Sequence, residues 1–142
     1  MIDQKHTLNV YWTLRIVLGV AAVLAGLDKF FNLLTNWEQY LSPMVSQVLH
    51  ISPSAFMHIA GVVEMAVGVG ILAGFTELFG YVMSLWLLGI IVNLLVLGRF
   101  YDVALRDLGL SAGAFSLGRL SVSRASVLSR SVVPRTTQQR AA

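Results

Sequence analysis

Five charged side chains stand where apolar residues surround them. Asp28 and Lys29 close the first long apolar stretch, Arg106 and Asp107 open the last, and Glu64 falls in the middle of another. A charge in hydrocarbon costs about 2.5–3.5 kcal/mol on insertion scales, so each of these groups must face a protein interior or water. Two kinds of chemistry are open to such a set. Opposite charges on different helices can neutralise each other and fix the packing, or the same groups can bind a polar ligand and pass protons.

Sequence neighbours on a helix point about 100° apart, so Asp28 is not expected to pair with Lys29, nor Arg106 with Asp107. The expected pairs run between helices, Asp28 with Arg106 or Lys29 with Asp107. A packing clasp is favoured there over a ligand or proton site. Glu64 lies about 14 Å along its stretch at ~1.5 Å per residue. At that depth a carboxylate must pair, reach a wet cavity or hold a proton. For Glu64 a relay in quinone or proton chemistry and a purely structural role weigh equally. Arg15, near the start of the first stretch, is expected to anchor in head groups, and Asn93 to hydrogen-bond a neighbouring helix. His6, His50 and His58 have no useful mutual spacing, and His58 and Glu64 fall on different helix faces, so no metal site is expected. No haem-ligating pair, phosphate loop or hydrolase motif is present.

The elements that must position these residues are membrane-spanning helices. The chain has 142 residues, 56% of them hydrophobic and 12% charged, where a soluble domain carries about 25% charged residues. Four stretches approach the ~20 apolar residues of a span: residues 10–31, 55–75, 78–97 and 103–120, the last interrupted by Arg106, Asp107 and small polar residues. A cleaved signal peptide at the start is disfavoured, because the apolar run is too long and Arg15 interrupts it. There is no cysteine, which excludes disulfides, thiolate metal sites and a thiol relay carried by this chain alone. The net charge of +3 comes mainly from the C-terminus and does not indicate nucleic-acid binding.

Arg15, Gly19, Ala22, Gly26 and Lys29 fall near one face of the first helix, and small residues admit close helix approach, so this stripe should face protein. Gly61, Glu64 and Gly68 do the same in the second. Between them, residues 32–54 are too polar to span. Asn36 can cap a short amphipathic helix through Trp37, Tyr40, Leu41, Met44 and Val48, lying at the bilayer surface. Ser52-Pro53-Ser54 is a helix start signal. The short link at Thr76-Glu77 makes helices two and three antiparallel neighbours. Residues 122–142, rich in Ser and Arg, are expected to form a disordered tail. Lys5, Arg119, Arg124 and Arg130 flank the termini, whereas the long first connection has no Lys or Arg; the positive-inside rule places both termini in the cytoplasm. The expectation is an all-α integral membrane four-helix bundle (residues 1–121), multi-pass in the plasma membrane, with the two charge pairs toward its outer face.

The chain resembles the DoxX family of small four-helix membrane proteins over residues 11–121. The resemblance rests on Arg15 with Gly19, on Gly26-Leu27-Asp28-Lys29-Phe30, on Gly61-x-x-Glu64-x-x-x-Gly68 with Leu72 and Gly74, and on Asp102-x-x-x-Arg106-Asp107-Leu108-Gly109-Leu110. It implies a membrane subunit associated with quinone- or thiol- and sulfur-linked redox processes. Such a subunit acts with soluble or membrane oxidoreductase partners and, if it is enzymatic, belongs to a quinone-linked oxidoreductase. The Asp28, Lys29, Glu64, Arg106 and Asp107 set would then bind a quinone-like ligand, pass protons or dock a partner. The sequence identifies no cofactor, and a quinone is the one that the resemblance suggests. The alternative is a non-enzymatic scaffold or assembly subunit whose charges serve packing. A small-solute carrier has less support, since no broken-helix pair or inverted repeat is visible.

Overall fold

Local signals place the helix ends. Ser52 accepts a hydrogen bond from the Ala55 amide and Pro53 follows it at the first helical position, which opens the helix Pro53–Ala73. Gly74 ends it with a left-handed φ of 108°. Gly98, with φ 72°, ends Thr76–Leu97 in the same way. The computed structural model describes residues 4–132. Among them are five α-helices, α1 (Gln4–Asp28), α2 (Pro43–Leu49), α3 (Pro53–Ala73), α4 (Thr76–Leu97) and α5 (Tyr101–Val132), with one 3₁₀ turn at Trp37–Tyr40 and no strand.

Three of these helices, α1, α3 and α4, are long and apolar enough to cross a membrane. Their outward faces carry exposed Val17, Leu24, Val69, Leu85 and Val92, as a surface against lipid requires. The chain is therefore a helical membrane protein. α1 packs on α3, α3 on α4, α4 on α5 and α5 back on α1. The most extensive contacts join α1 to α3 and α4 to α5. Glycines close both pairs. A Cβ added to Gly26 would lie 2.6 Å from the Gly61 carbonyl oxygen, and one on Gly61 would lie 2.6 Å from the Gly26 oxygen. One on Gly68 would lie 2.7 Å from the Gly19 oxygen. α4 and α5 meet where Gly80 faces Ala114 and Gly118. Between the pairs, Leu18, Val67, Ile71, Met83 and Leu117 form the buried core.

Several elements depart from expectation. Beyond the four expected long helices, the first connection contributes α2. Pro43 divides the expected single surface helix into the Asn36-capped 3₁₀ turn and α2, because proline supplies no backbone N–H to continue a helix through it. α1 begins at Gln4 rather than at residue 10. α5 runs past Leu120 to Val132, so the first part of the expected disordered tail is helical. Two contacts hold its first turn beyond Leu120. Ser121 accepts a hydrogen bond from the Thr76 hydroxyl at 2.9 Å, and the Arg124 guanidinium sits 4.3 Å over the Tyr11 ring. Residues 133–142 of that expected tail lie outside the described residues.

The glycine contacts make a specific prediction. Gly61→Val must push α1 away from α3, an overpacking cost of about 1–3 kcal/mol, and should lower the thermal midpoint in detergent by roughly 5–15 °C. Gly109→Ala, at a helical glycine with nothing within 4 Å of its added Cβ, should leave the midpoint unchanged or raise it slightly. Equal effects would show that the α1–α3 contact is not a tight one.

Candidate functional site

The Gly26–Gly61 contact sets the register that builds the site. Side chains tilt toward the N-terminus of their own helix, so on antiparallel helices residues on opposite sides of a contact lean toward each other. Lys29, just past the end of α1, and Glu64, one turn beyond Gly61, meet in this way. Lys29 Nζ donates to Glu64 Oε2 at 2.6 Å, with the two side chains only 6% and 11% exposed. Trp86 Nε1 of α4 donates to the other oxygen, Oε1, at 3.2 Å. The ammonium also lies 3.7 Å from the centroid of the Trp37 ring, a cation–π contact.

Asp28 serves a different purpose. Its carboxylate accepts the Trp37 indole N–H at 2.8 Å and the backbone N–H groups of Leu33 (3.0 Å) and Leu34. It therefore folds the connection back over the end of α1 and fixes the ring beneath which Lys29 lies. Asn93 of α4 holds the other end of that connection. It donates to the Tyr40 carbonyl at 2.6 Å and accepts the Ser42 amide at 2.9 Å. On α5, Arg106 binds Asp107 at 3.0 Å, with side chains 60% and 6% exposed. One turn further along α5, Ser111 bonds both the hydroxyl and the carbonyl of Ser84.

Several of these groups line a cavity of about 590 Å³ between the helix pairs. Lys29, Glu64, Arg106, Asp107, Asn93, Trp37, Tyr40 and Trp86 contribute its polar and aromatic part; Ala22, Ala60, Val67, Met83, Leu87 and Leu110 contribute its apolar part. Leu34, Trp37, Tyr40 and Leu41 of the connection cover one end. The volume is that of a small-molecule site, which is typically about 300–1,000 Å³ and mostly apolar with a few placed polar groups.

The structure brings four of the five expected residues, Lys29, Glu64, Arg106 and Asp107, to the cavity, and Asp28 supports it from behind. The ends of α1 and the start of α5 do lie at one end of the bundle, yet neither expected pair, Asp28 with Arg106 or Lys29 with Asp107, forms. Asp28 is consumed by the turn it caps and Lys29 by Glu64. Arg106 pairs with its sequence neighbour after all, because its long flexible side chain can curl back to Asp107. Glu64 has the partner that sequence reasoning did not supply. Arg15 does not simply anchor at head groups: it donates to the Ile71 (3.1 Å) and Leu72 (2.6 Å) carbonyls and so satisfies the end of α3. Asn93 bonds the first connection rather than a neighbouring helix. His58 stacks on Phe30 with ring centroids 4.9 Å apart. Among the described residues no group of three His, Cys, Asp or Glu is placed to hold a metal.

Trp37 and Trp86 are the site residues that sequence reasoning missed. A signal existed: a tryptophan inside an apolar helix needs a partner for its N–H, and Glu64 is an available acceptor.

The sequence profile of the family described as DoxX matches residues 11–100, which include most of α1, all of α3 and α4, and the Lys29–Glu64 pair. No curated protein and no solved structure matches the chain.

Removing one member of a buried ion pair costs about 3–5 kcal/mol because the other charge is left uncompensated. Lys29→Met alone should therefore abolish or sharply lower the thermal midpoint in lipid nanodiscs. Lys29→Met with Glu64→Leu should recover most of that loss. Additive losses in the double variant would show that the two groups are not coupled.

Proposed function

The chain belongs to the DoxX family, and from that premise we propose that it is a membrane subunit that binds a quinone-like ligand in redox processes. The carrying observation is that Glu64, paired as it is, also forms part of the wall of a cavity of ligand size. A group serving only to clasp helices has no need of such a space. Trp37, Tyr40 and Trp86 offer flat apolar faces to a planar ring, and Lys29 can donate to a carbonyl oxygen. A quinone, when bound, would supply two-electron, two-proton redox chemistry. The residues of the chain would orient the ring, exclude water and hold a proton at Glu64. Electrons would come from a partner oxidoreductase subunit.

The same reading puts the protein in the plasma membrane with four spans. α5 follows α4 from Asn93's end to Thr76, as the Ser84–Ser111 and Thr76–Ser121 bonds mark out. A span in α4 therefore implies one in α5. Four spans leave both termini on one side, and Lys5, Arg119 and Arg124 assign that side to the cytoplasm.

A scaffold role is the second reading, favoured by the mutual neutralisation of Lys29 with Glu64 and Arg106 with Asp107. Binding separates the two. Of the three tryptophans, Trp12 is exposed and away from the cavity, while Trp37 and Trp86 line it. In a Trp12→Phe protein in nanodiscs, a benzoquinone with a ten-carbon tail should quench the remaining fluorescence saturably. Lys29→Met with Glu64→Leu, the pair of changes expected to keep the fold, should weaken that binding by roughly 10–100-fold, the worth of a charged hydrogen bond of about 1.5–3 kcal/mol. Quenching that rises linearly without saturation would leave the scaffold reading standing.

A further inference from the structure

Besides the end covered by the connection, the cavity is bordered by α1 and α5, which contribute Ala21, Ala25, Arg106 and Leu110 to its lining. Leu14, Leu18, Ala21 and Ala25 fall on one stripe of α1, since each is three or four residues from the next. At the first two, α1 closes on α5: a Cβ built on Gly113 would lie 3.9 Å from Leu14 and 4.0 Å from Leu18. α5 runs antiparallel to α1. Further along α1 the stripe therefore comes level with earlier residues of α5, and Ala21 and Ala25 come level with Arg106 and Leu110. All four line the cavity. The stripe shrinks from leucine to alanine where the cavity begins. Ala21 is exposed and Ala25 half-buried, and both line the cavity. On the opposite helices, α3 and α4, the cavity is lined by larger residues such as Phe56, Met57, Trp86 and Ile90, and only Gly89 of those two helices is both exposed and cavity-lining.

Charge at the site narrows what can enter. Lys29 and Arg106 balance Glu64 and Asp107 within the cavity wall, each cation already bonded to a carboxylate. No cation there is left uncompensated to receive an anionic head, and burying an unpaired charge is costly. Arg106, with its side chain 60% exposed, stands at the rim and can donate to an uncharged oxygen while keeping Asp107.

We propose that the α1–α5 seam at Ala21 and Ala25 is a lateral portal through which a single-tailed amphiphile with an uncharged, hydrogen-bonding head enters the cavity from the bilayer. This rests on the ligand reading above in naming the class of molecule, but the portal stands or falls on its own measurement.

That measurement uses the full chain with Trp12→Phe, in phospholipid nanodiscs doped with a monoacylglycerol brominated on its acyl chain. Bromine quenches tryptophan on contact, so chains entering the seam darken Trp37 and Trp86. Adding Ala21→Phe should cut this quenching by at least half. Leu24→Phe, which places the same aromatic side chain on the lipid-facing surface of α1, should not. If Ala21→Phe does not fold, Ala25→Leu should give the same loss. Neutral monodecanoylglycerol should relieve the quenching at concentrations at least tenfold below those needed with decanoate. Undiminished quenching in both alanine variants, or no quenching in the parent, overturns the portal; so does a loss seen with Gly89→Phe instead. Equal relief by decanoate overturns the uncharged class. A quinone that fails to bind while the bromine signal follows this pattern would refute the quinone reading and leave the portal in place.

Discussion

A salt bridge between Lys29 and Glu64, out of water and inside a membrane protein, is the constraint around which the rest is arranged. Neither charge is tolerable there alone, and the pair is tolerable only if its remaining hydrogen-bonding capacity is met. Trp86 meets it on the carboxylate and Trp37 on the ammonium. Each requirement recruits a different element. Trp86 ties α4 to the α1–α3 pair, and Trp37 draws in the connection, which Asp28 in turn holds in place. One ion pair thus couples α1, α3, α4 and the first connection.

The bundle can afford a cavity at this level because closure is achieved elsewhere. Glycine contacts zip α1 to α3 and α4 to α5 at backbone distance, so each pair is rigid without help from the middle. Toward the termini the pairs are joined by the apolar core and by the hydroxyl chain of Tyr11, Thr76 and Ser121, with 2.9 Å at each link. At the other end Asn93 pins the connection across the top. Between these two closures lies the cavity, lined mostly by apolar side chains with the Lys29–Glu64 and Arg106–Asp107 pairs set among them. An amphiphile matches that lining.

Much of this was legible in the sequence, and for identifiable reasons. Apolar run lengths located the long helices because a bilayer imposes a fixed span. The small-residue stripe of α1 correctly faced protein, since glycine at Gly19 and Gly26 has no other use in so apolar a segment. The five charges marked the site because hydrocarbon makes misplaced charge expensive. Their partners were not legible. Pairing depends on the axial register of α1 against α3, which the Gly26–Gly61 contact sets to within a side-chain length, and on the direction in which each side chain leans. Asp28 escaped for another reason: backbone amides freed by a turn are invisible in a sequence until the turn is known. The continuation of α5 to Val132 was likewise hidden. Its first turn beyond Leu120 is held by long-range contacts of Ser121 and Arg124 with residues far away in the chain.

The central claim is that the Lys29–Glu64 pair forms part of the wall of a working binding cavity rather than a sealed clasp. Photo-crosslinking tests it most directly, with a photoreactive benzoquinone irradiated on the protein in nanodiscs and the adducts mapped by peptide mass spectrometry. Adducts should fall on cavity-lining residues such as Trp37, Tyr40, Met83 and Trp86, and unlabelled quinone should compete them away. Adducts confined to lipid-facing positions such as Val62, Val69 and Phe75, insensitive to competitor, would contradict the account.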